Sequence, residues 1–348
     1  MREKDIIRGL AENSSITKDE IISILTTDDA AVKEELFAAA REVRERHFGN
    51  KVFLYGFVYF STYCRNNCSF CFYRRDNGDH AIRYRKNREE VLEIAKGLAE
   101  SGVHLIDLTL GEDPELHKEN FASMLDLVDD VHDVADRPVM ISPGVISDEL
   151  IEAFAKRNTE FYALYQETYN RDLFAKLRLH QDYDERMNAK LKAKECGMFI
   201  EEGLMTGLGE TVEDIADALL DMQKLGASQI RVMTFVPQEG TPMADLEAHD
   251  SDMEQKIIAL MRLMNHKALI PASLDVEGIN GLESRINAGC NVVTSIIPPT
   301  AGLAGVAQST KDVNEGYRTV AGVTPRLEAM GMRAATSKEF KDWLKENK

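Results

Sequence analysis

Short apolar runs alternate with amphipathic segments along the chain from residue 51 onwards. Runs rich in Val, Ile, Phe and Tyr predict buried strands, and the segments between them repeat apolar residues every three or four positions, which predicts helices. Because strands and helices alternate, neighbouring strands should be parallel. The predicted strands are residues 52–63, 103–110, 139–142, 161–166, 198–206, 229–236, 269–276 and 292–297.

Eight strands in this alternation predict the α/β class and, within it, an eightfold βα barrel of the TIM type. We expect the barrel to span residues 51–300 as one domain. Residues 1–50 should form a helical cover, and residues 301–348 a helical extension of the same domain. In this fold functional side chains lie at the C-terminal ends of the strands, so motifs are expected there.

Two helices are predicted before the first strand. Thr17 and Glu20 have the spacing of a capping box, and a second helix should run from about Asp28 to His47 and end at Gly49. We expect this segment to cover one end of the barrel and to have a structural role.

Composition and charge narrow the class of protein. A chain of 348 residues with 44% apolar content can bury the core of one barrel. A formal net charge of −17 argues against a nucleic-acid partner, because phosphate recognition needs a basic face. No apolar stretch approaches the length of a membrane span, and no apolar N-terminal run predicts export. We therefore expect no membrane partner and a cytoplasmic location, where cysteines stay reduced.

The loop after the first predicted strand contains Cys64, Cys68 and Cys71. Thiolates are the usual ligands of iron–sulfur clusters, and three of them on a four-iron cluster leave one iron open to bind and activate another molecule. Phe70, just before the last cysteine, would shield such a cluster from water. This spacing predicts a catalytic 4Fe–4S site on the three cysteines.

A zinc site is the alternative interpretation of the loop. Structural zinc requires a fourth Cys or His at short range, and His80 is the nearest candidate. The remaining cysteines, Cys196 and Cys290, precede the fifth and eighth predicted strands, at the opposite end of the barrel. We expect both to be small core or turn residues that hold no second cluster.

Further polar residues follow the second and fourth strands. Gly111 and Glu112 lie in a Leu-Gly-Glu-Asp-Pro segment, whose carbonyls and carboxylate can accept hydrogen bonds from an ammonium group. Glu167 follows the fourth strand and Arg178 one short turn later; a carboxylate suits ribose hydroxyls, and a guanidinium can bind a carboxylate with two hydrogen bonds. A strand-to-helix turn and a surface helix would explain the same residues structurally.

The cysteine spacing and the order of these segments resemble the radical S-adenosylmethionine (SAM) superfamily, especially its biotin synthase-like branch, over residues 50–300. The resemblance implies one 4Fe–4S cluster and SAM as cofactors. It implies that the glycine–glutamate segment holds the methionyl amine, Glu167 the ribose and Arg178 the methionyl carboxylate. The residues assigned in this way to SAM are Phe70, Gly111, Glu112, Glu167, Arg178 and Val236.

Side-chain alternation along the last strands places polar residues inside the predicted barrel. Arg231 shares a face with Met233 and Phe235. In residues 270–276 the apolar alternate set fits the helix side, so Ser273 and Asp275 point inward. The inward polar residues that we expect to bind substrate are Asp107, Arg231, Ser273, Asp275 and Ser295.

Charged side chains inside a barrel need compensation, because its interior is normally packed with branched apolar residues. One possibility is an internal salt bridge between Arg231 and Asp275. The other is a clamp for an amino acid: Arg231 would bind the α-carboxylate, Ser273 and Asp275 the α-amine, and another carboxylate a distal amine.

With this pocket and a single cluster, the chain is similar to the lysine mutases of pyrrolysine biosynthesis. The resemblance implies that it isomerises L-lysine to 3-methylornithine, the first step of that pathway. A deoxyadenosyl radical would abstract hydrogen, after which the carbon skeleton breaks and recombines. It also implies a flavodoxin or ferredoxin as electron donor.

Two alternatives remain at this point. One is another radical enzyme of the same branch, such as a hydrogenase maturase, which would show no dependence on lysine. The other is a non-enzymatic iron–sulfur electron carrier. The Glu112, Glu167 and Arg178 constellation disfavours a carrier, because a carrier needs no nucleoside pocket.

Overall fold

The computed structural model describes residues 2–348. The strands are β1 (Lys51–Ser61), β2 (Leu105–Leu110), β3 (Val139–Ser142), β4 (Phe161–Ala163), β5 (Phe199–Thr206), β6 (Gln229–Thr234), β7 (Pro271–Ser273), β8 (Val292–Ile296) and β9 (Arg333–Ala334). The helices are α1 (Arg2–Ala11), α2 (Lys18–Leu25), α3 (Ala30–Phe48), α4 (Arg88–Ser101), α5 (Pro114–Lys118), α6 (Ala122–Ala135), α7 (Asp148–Lys156), α8 (Arg171–Leu177), α9 (Tyr183–Glu195), α10 (Val212–Leu225), α11 (Asp252–Met264), α12 (Leu282–Asn287), α13 (Val320–Ala329) and α14 (Ser337–Asn347).

Strands β1 to β8 form one parallel sheet in the order β6-β5-β4-β3-β2-β1-β8-β7. The two ends of this order meet at a single bridge, where Ile230 N donates to Leu269 O at 3.0 Å and Leu269 N donates to Ser228 O at 2.9 Å. The sheet therefore curls into a nearly closed eight-stranded barrel of the TIM type, which confirms the predicted fold class.

Strands β4 and β7 are shortened most relative to the prediction, to three residues each, because side chains take over backbone hydrogen bonds beyond them. After β4, Gln166 N donates to the Glu202 carboxylate at 2.7 Å. After β7, Asp275 N donates to Ser273 Oγ at 3.2 Å. The sequence pattern also did not predict β9, whose two residues pair with the start of β1 and are too few to show periodicity.

Side chains divide between the two faces of the barrel as their alternation predicts. Ile270, Ala272 and Leu274 join the apolar layer between strands and outer helices. The interior at the N-terminal ends of the strands is filled by a second cluster, mainly aromatic, that includes Phe53, Tyr55, Phe161, Phe199, Phe340 and Trp343. Since this end is packed solid, only the C-terminal end of the interior has room for a ligand.

The two terminal segments pack on different parts of the barrel. The C-terminal helix α14 closes the packed end: Phe340 lies 4.9 Å from Phe53, and Trp343 lies 5.4 Å from Phe199, between ring centroids. The N-terminal helices lie mainly along the side of the barrel, with α2 packed on α10 and α3 packed on α11. The Thr17 capping box forms as predicted. Within residues 2–348 no helix is both long and apolar enough to cross a bilayer.

Candidate active site

The cysteine loop leaves the C-terminal end of β1 and is held by hydrogen bonds to neighbouring segments. Ser69 N donates to Leu177 O at 2.7 Å, at the end of α8, and Arg65 N donates to Glu112 O at 2.9 Å, after β2. Cys68 is buried, and Cys64 and Cys71 are half-buried. The loop is thus anchored independently of any ligand, with its sulfurs turned away from bulk water.

The electrostatics of the three thiols fit a cationic ligand. Burial raises the pKa of the Cys64 thiol to about 11. The pKa of Cys71 is also raised, first by burial and then by the negative charges that Cys68 and Cys64 would carry, so the three sulfurs are close enough to repel one another as thiolates. Iron would remove this repulsion, because a metal-bound thiol is deprotonated outright.

The surroundings of the loop suit a cluster better than a single ion. Within residues 2–348 no three His, Cys, Asp or Glu side chains converge closely enough to hold one metal ion. A four-iron cluster is larger and needs only one thiolate on each of three irons. Cys68 and Phe70 pack with an apolar group that includes Leu177, Leu208 and Phe235, and this group would shield a cluster bound here from water.

Gly111 lies against the cysteine loop. A Cβ on this residue would come within 2.3 Å of Tyr63 O, so only glycine allows the two segments to pass. Glu112 is buried beside it; its carboxylate accepts from Arg65 Nε at 3.0 Å and lies 3.9 Å from Arg186 NH1. Gly111 therefore lets the segment after β2 pass close to the cysteine loop, which brings Glu112 and the cysteines together.

Glu167 and Arg178 form the buried pair that the sequence placed near the cofactor. Arg178 NH2 donates to Glu167 Oε1 at 2.8 Å. Glu167 has a left-handed φ of 68°, a strained conformation for glutamate that is typical of functional sites. Within residues 2–348, Arg178 Nε and Arg186 NH1 are buried without a hydrogen-bond partner. Unpaired buried donors are costly, so the carboxylate of an amino-acid cofactor fits this position.

A cavity at the C-terminal end of the barrel joins the cysteine loop to the inward polar residues. It is lined by both groups of predicted residues, namely Phe70, Cys71, Glu167 and Val236 from the cofactor group and Asp107, Arg231, Asp275 and Ser295 from the substrate group. Val306 and Ala307, from the segment after β8, also line it. Of the residues that we expected to bind substrate, Ser273 is buried behind the cavity wall and does not line it.

Arg231 points inward but does not pair with Asp275. Its Nε donates to Glu201 Oε1 at 2.6 Å, and Tyr165 OH donates to the other oxygen of Glu201 at 2.7 Å. The guanidinium also lies 5.2 Å from the centre of the Tyr165 ring. The hypothesis of a salt bridge between Arg231 and Asp275 is therefore wrong. Arg231 instead pairs with the carboxylate of Glu201 inside the barrel.

Asp275 is paired with an arginine from the C-terminal extension. Arg318 NH2 donates to Asp275 Oδ1 at 2.6 Å, and Ser295 Oγ donates to Oδ2 at 2.9 Å. Arg318 is fully buried and also donates to Ser295 O at 3.0 Å. Ser295 has a left-handed φ of 66°, and Ser273 Oγ accepts from Asp275 N. The two serines thus orient the aspartate.

Asp107 is a third carboxylate in the cavity, and it differs from the other two. Burial, with the nearby Glu201 carboxylate as the next cause, raises its pKa to about 7. Within residues 2–348 its carboxylate accepts one hydrogen bond, from Thr109 Oγ1 at 2.7 Å. Because no cation is paired with it, Asp107 is the carboxylate best placed to accept an ammonium group from a ligand.

The residues that sequence reasoning missed are the partners of the predicted ones. Glu201 lies on β5 and Tyr165 just beyond the end of β4; the inward parity of β5 could have identified Glu201. Arg318 had no such signal, because it lies in an irregular segment between β8 and α13. Its place beside Asp275 depends entirely on the path of that segment.

The radical SAM superfamily model matches residues 58–222, the stretch that carries the cysteine loop and the Glu167–Arg178 pair. The protein is thus a radical SAM enzyme in class. A 3-methylornithine synthase from Methanosarcina acetivorans is 43% identical over 336 residues, which cover 97% of this chain and 95% of the relative. The [FeFe] hydrogenase maturase subunit HydE of Thermotoga maritima is 31% identical over 296 residues, or 84% of this chain and 83% of that one.

Among solved structures, a crystal structure of methylornithine synthase superposes with a TM-score of 0.91 at 42% identity, covering 97% of this chain and 99% of the other. The chain belongs to the methylornithine synthase family of the radical SAM superfamily. Its cofactors are accordingly a 4Fe–4S cluster and SAM, and the buried thiols and unpaired arginine donors fit both.

Proposed function

We propose that this enzyme converts L-lysine to 3-methylornithine, the first step of pyrrolysine biosynthesis, by radical rearrangement of the carbon skeleton. The observation that carries the proposal is a single cavity in which Cys71 and Phe70 face Asp107, Arg231 and Asp275. Cofactor and amino-acid substrate can therefore meet without leaving the barrel.

The charges of the inner site suit a diamino acid. Three carboxylates, on Asp107, Glu201 and Asp275, face two guanidinium groups, on Arg231 and Arg318. When all five side chains are ionised, their net charge is −1, whereas lysine has a net charge of +1. Substrate binding would balance the site, which matters because uncompensated buried charge is costly.

We assign the ends of the substrate as follows. Arg231, held by Glu201 through its Nε side, would use its remaining N–H groups to bind the α-carboxylate. Asp275, oriented by Ser273 and Ser295, would bind the α-ammonium group. Asp107 would bind the distal ammonium group, since it has no cationic partner among the residues described.

The cofactors supply, when bound, a one-electron cleavage of SAM that yields the hydrogen-abstracting deoxyadenosyl radical. On our proposal Cys64, Cys68 and Cys71 ligate the cluster, while Glu112, Glu167 and Arg178 bind the SAM amine, ribose and carboxylate. The protein's own part is to hold both charged ends of the substrate while the skeleton is remade. Val306 and Ala307 line the cavity with apolar surface, which would disfavour water around the substrate fragments.

The reaction needs a one-electron donor, and we propose a flavodoxin or ferredoxin. The formal charge of −17 remains the argument against nucleic acid as a partner.

The proposal is tested with anaerobically reconstituted, reduced protein incubated with SAM and lysine. We expect an isomer of lysine with unchanged mass. Arg231→Leu should retain slow SAM cleavage and lose formation of the isomer. SAM cleavage by the wild-type protein without any isomer would contradict the proposal and favour another reaction of the branch, as in the hydrogenase maturases.

A further inference from the structure

Gln181 lies beside the cluster site, and neither the sequence motifs nor the proposed function assign it a role. It ends the turn between α8 and α9, where its backbone N–H donates to Arg178 O at 3.0 Å. Its side-chain Nε2 lies 3.1 Å from Cys68 Sγ, within hydrogen-bond distance for a sulfur acceptor. A neutral amide donor is thus directed at one of the three cluster thiolates.

The orientation of this amide follows from its other neighbour. Arg178 NH1 lies 3.4 Å from Gln181 Oε1. A guanidinium has donors only, so the oxygen of the amide must face Arg178 and the nitrogen must face the sulfur. The reversed amide would place two donors together and leave the sulfur without this donor.

The turn and the cysteine loop are fixed to each other, which keeps the donor on the sulfur. Ser69, next to Cys68, donates through its backbone N to Leu177 O at 2.7 Å and through Oγ to Lys176 O at 2.8 Å. Both carbonyls lie at the end of α8, directly before the turn that carries Gln181. Two short hydrogen bonds from Ser69 therefore fix the chain next to Cys68 to the chain that leads into Gln181.

Cys68 differs from Cys64 in its donors. Cys64 Sγ accepts from a backbone group, the N–H of Asn66, at 3.4 Å. For Cys68 there are two side-chain donors, Gln181 at 3.1 Å and Arg178 at 3.7 Å. On the proposed function Arg178 is engaged by the SAM carboxylate, so Gln181 remains as the donor dedicated to the sulfur.

We propose that Gln181 is a positioning residue that raises the reduction potential of the cluster. A hydrogen bond to a ligand sulfur stabilises the reduced state more than the oxidised state, because the reduced cluster carries one more negative charge. The enzyme must reduce this cluster before SAM can be cleaved, so the contact makes the electron transfer easier. The inference rests on the cluster assignment within the proposed function and does not depend on lysine.

The test is a spectroscopic redox titration of reconstituted protein without substrate. Gln181→Met keeps the length of the side chain and removes the donor. We expect full iron content and a more negative midpoint potential, so that the ratio of reduced to oxidised cluster at a fixed poise falls roughly threefold to tenfold, the range of one hydrogen bond. Gln181→Glu should lower the potential further, because it adds a negative charge.

Gln223→Met is the matched control, because the exposed Gln223 amide donates to Met264 O far from the cluster. The cluster in this variant should have the same midpoint potential as in the wild-type protein. An unchanged potential in Gln181→Met at full iron content would overturn the proposal. Equal loss of iron from Gln181→Met and Gln181→Glu would also overturn it, since the residue would then hold the loop together. Neither readout uses lysine turnover, so failure here is distinguishable from failure of the proposed reaction.

Discussion

The two halves of the barrel mouth place functional side chains in different ways. On the cofactor side, at the ends of β1 to β4, they lie in loops, and three of them lie within eight residues, Cys64 to Cys71. The substrate side consists of residues on β5 to β8 together with Asp107 on β2, and its side chains lie singly on strands or next to them, inside the barrel. Loops can present ligands with little effect on the core, whereas inward charges are part of the core itself.

This difference couples the substrate site to stability. Arg231 and Asp275 are each held by a buried opposite charge, Glu201 and Arg318 respectively. Removing one member of such a pair leaves an uncompensated buried charge. We therefore expect variants on the cofactor side mainly to lose function, and variants on the substrate side to lose stability as well.

The largest effect is expected from Cys68→Ala. Iron content should fall sharply and SAM cleavage should be abolished, because the open-iron geometry needs all three thiolates. The thermal unfolding of the iron-free proteins should hardly differ, since Ser69 and Arg65 anchor the loop through their backbones. Iron analysis, a cleavage assay and a melting curve give the three readouts. Cys196→Ala, at the C-terminal end of α9, is the control and should retain both iron and cleavage.

Arg318→Met should destabilise the protein by about 3–5 kcal/mol, because it strands the Asp275 carboxylate in the core. Denaturant unfolding measures the change. The exposed pair of Arg333 and Glu339 offers a control, since Arg333→Met should cost less than about 1 kcal/mol. Adding Asp275→Asn to Arg318→Met should restore part of the loss. Equal losses of stability in Arg318→Met and Arg333→Met would contradict the distinction between core and surface charges.

Asp107 gives the substrate side a pH dependence. Its folded-state pKa of about 7 lies above its ordinary value of 3.8, so ionisation opposes folding. The cost is absent below about pH 4, grows as the pH rises towards 7, and is complete above it, at about 1.4 kcal/mol for each pH unit in that window. Asp107→Asn cannot ionise.

From pH 5 to pH 7 the stability of Asp107→Asn should therefore rise relative to wild type by about 2–3 kcal/mol. Urea unfolding of both proteins at several pH values measures the difference. Parallel stability curves would show that Asp107 is already ionised, and solvated, at pH 5.

The smallest effect is expected from Arg178→Leu, on the cofactor side. Loss of a charge-assisted hydrogen bond should weaken SAM binding by about 1.5–3 kcal/mol without changing iron content. Burial raises the pKa of its partner Glu167, so this carboxyl can take up a proton when the arginine is removed, which limits the loss of stability. Titration calorimetry with SAM measures the affinity. Arg171→Leu, which removes an exposed pair with Asp184, should bind SAM normally.

Local sequence patterns suffice to predict the barrel, the cysteine loop and the inward direction of Arg231 and Asp275. These features follow from local periodicity: alternation of two along a strand, near four along a helix, and fixed spacing within one loop. Even the partly unexpected ends of β4 and β7 shift only the boundaries of elements whose position was predicted.

Which charged side chains meet depends on how distant segments of the chain fold together. Glu201 reaches Arg231 because β5 and β6 are neighbours in register, with Gly203 beside Arg231. Arg318 reaches Asp275 because an irregular segment folds back over the barrel, and no periodic pattern marks that path. The sequence likewise does not show which end of the barrel α14 closes, since apolar residues on a helix predict burial but not the surface against which they pack. Pairing energies depend on distance in space, and spacing along the chain does not encode it.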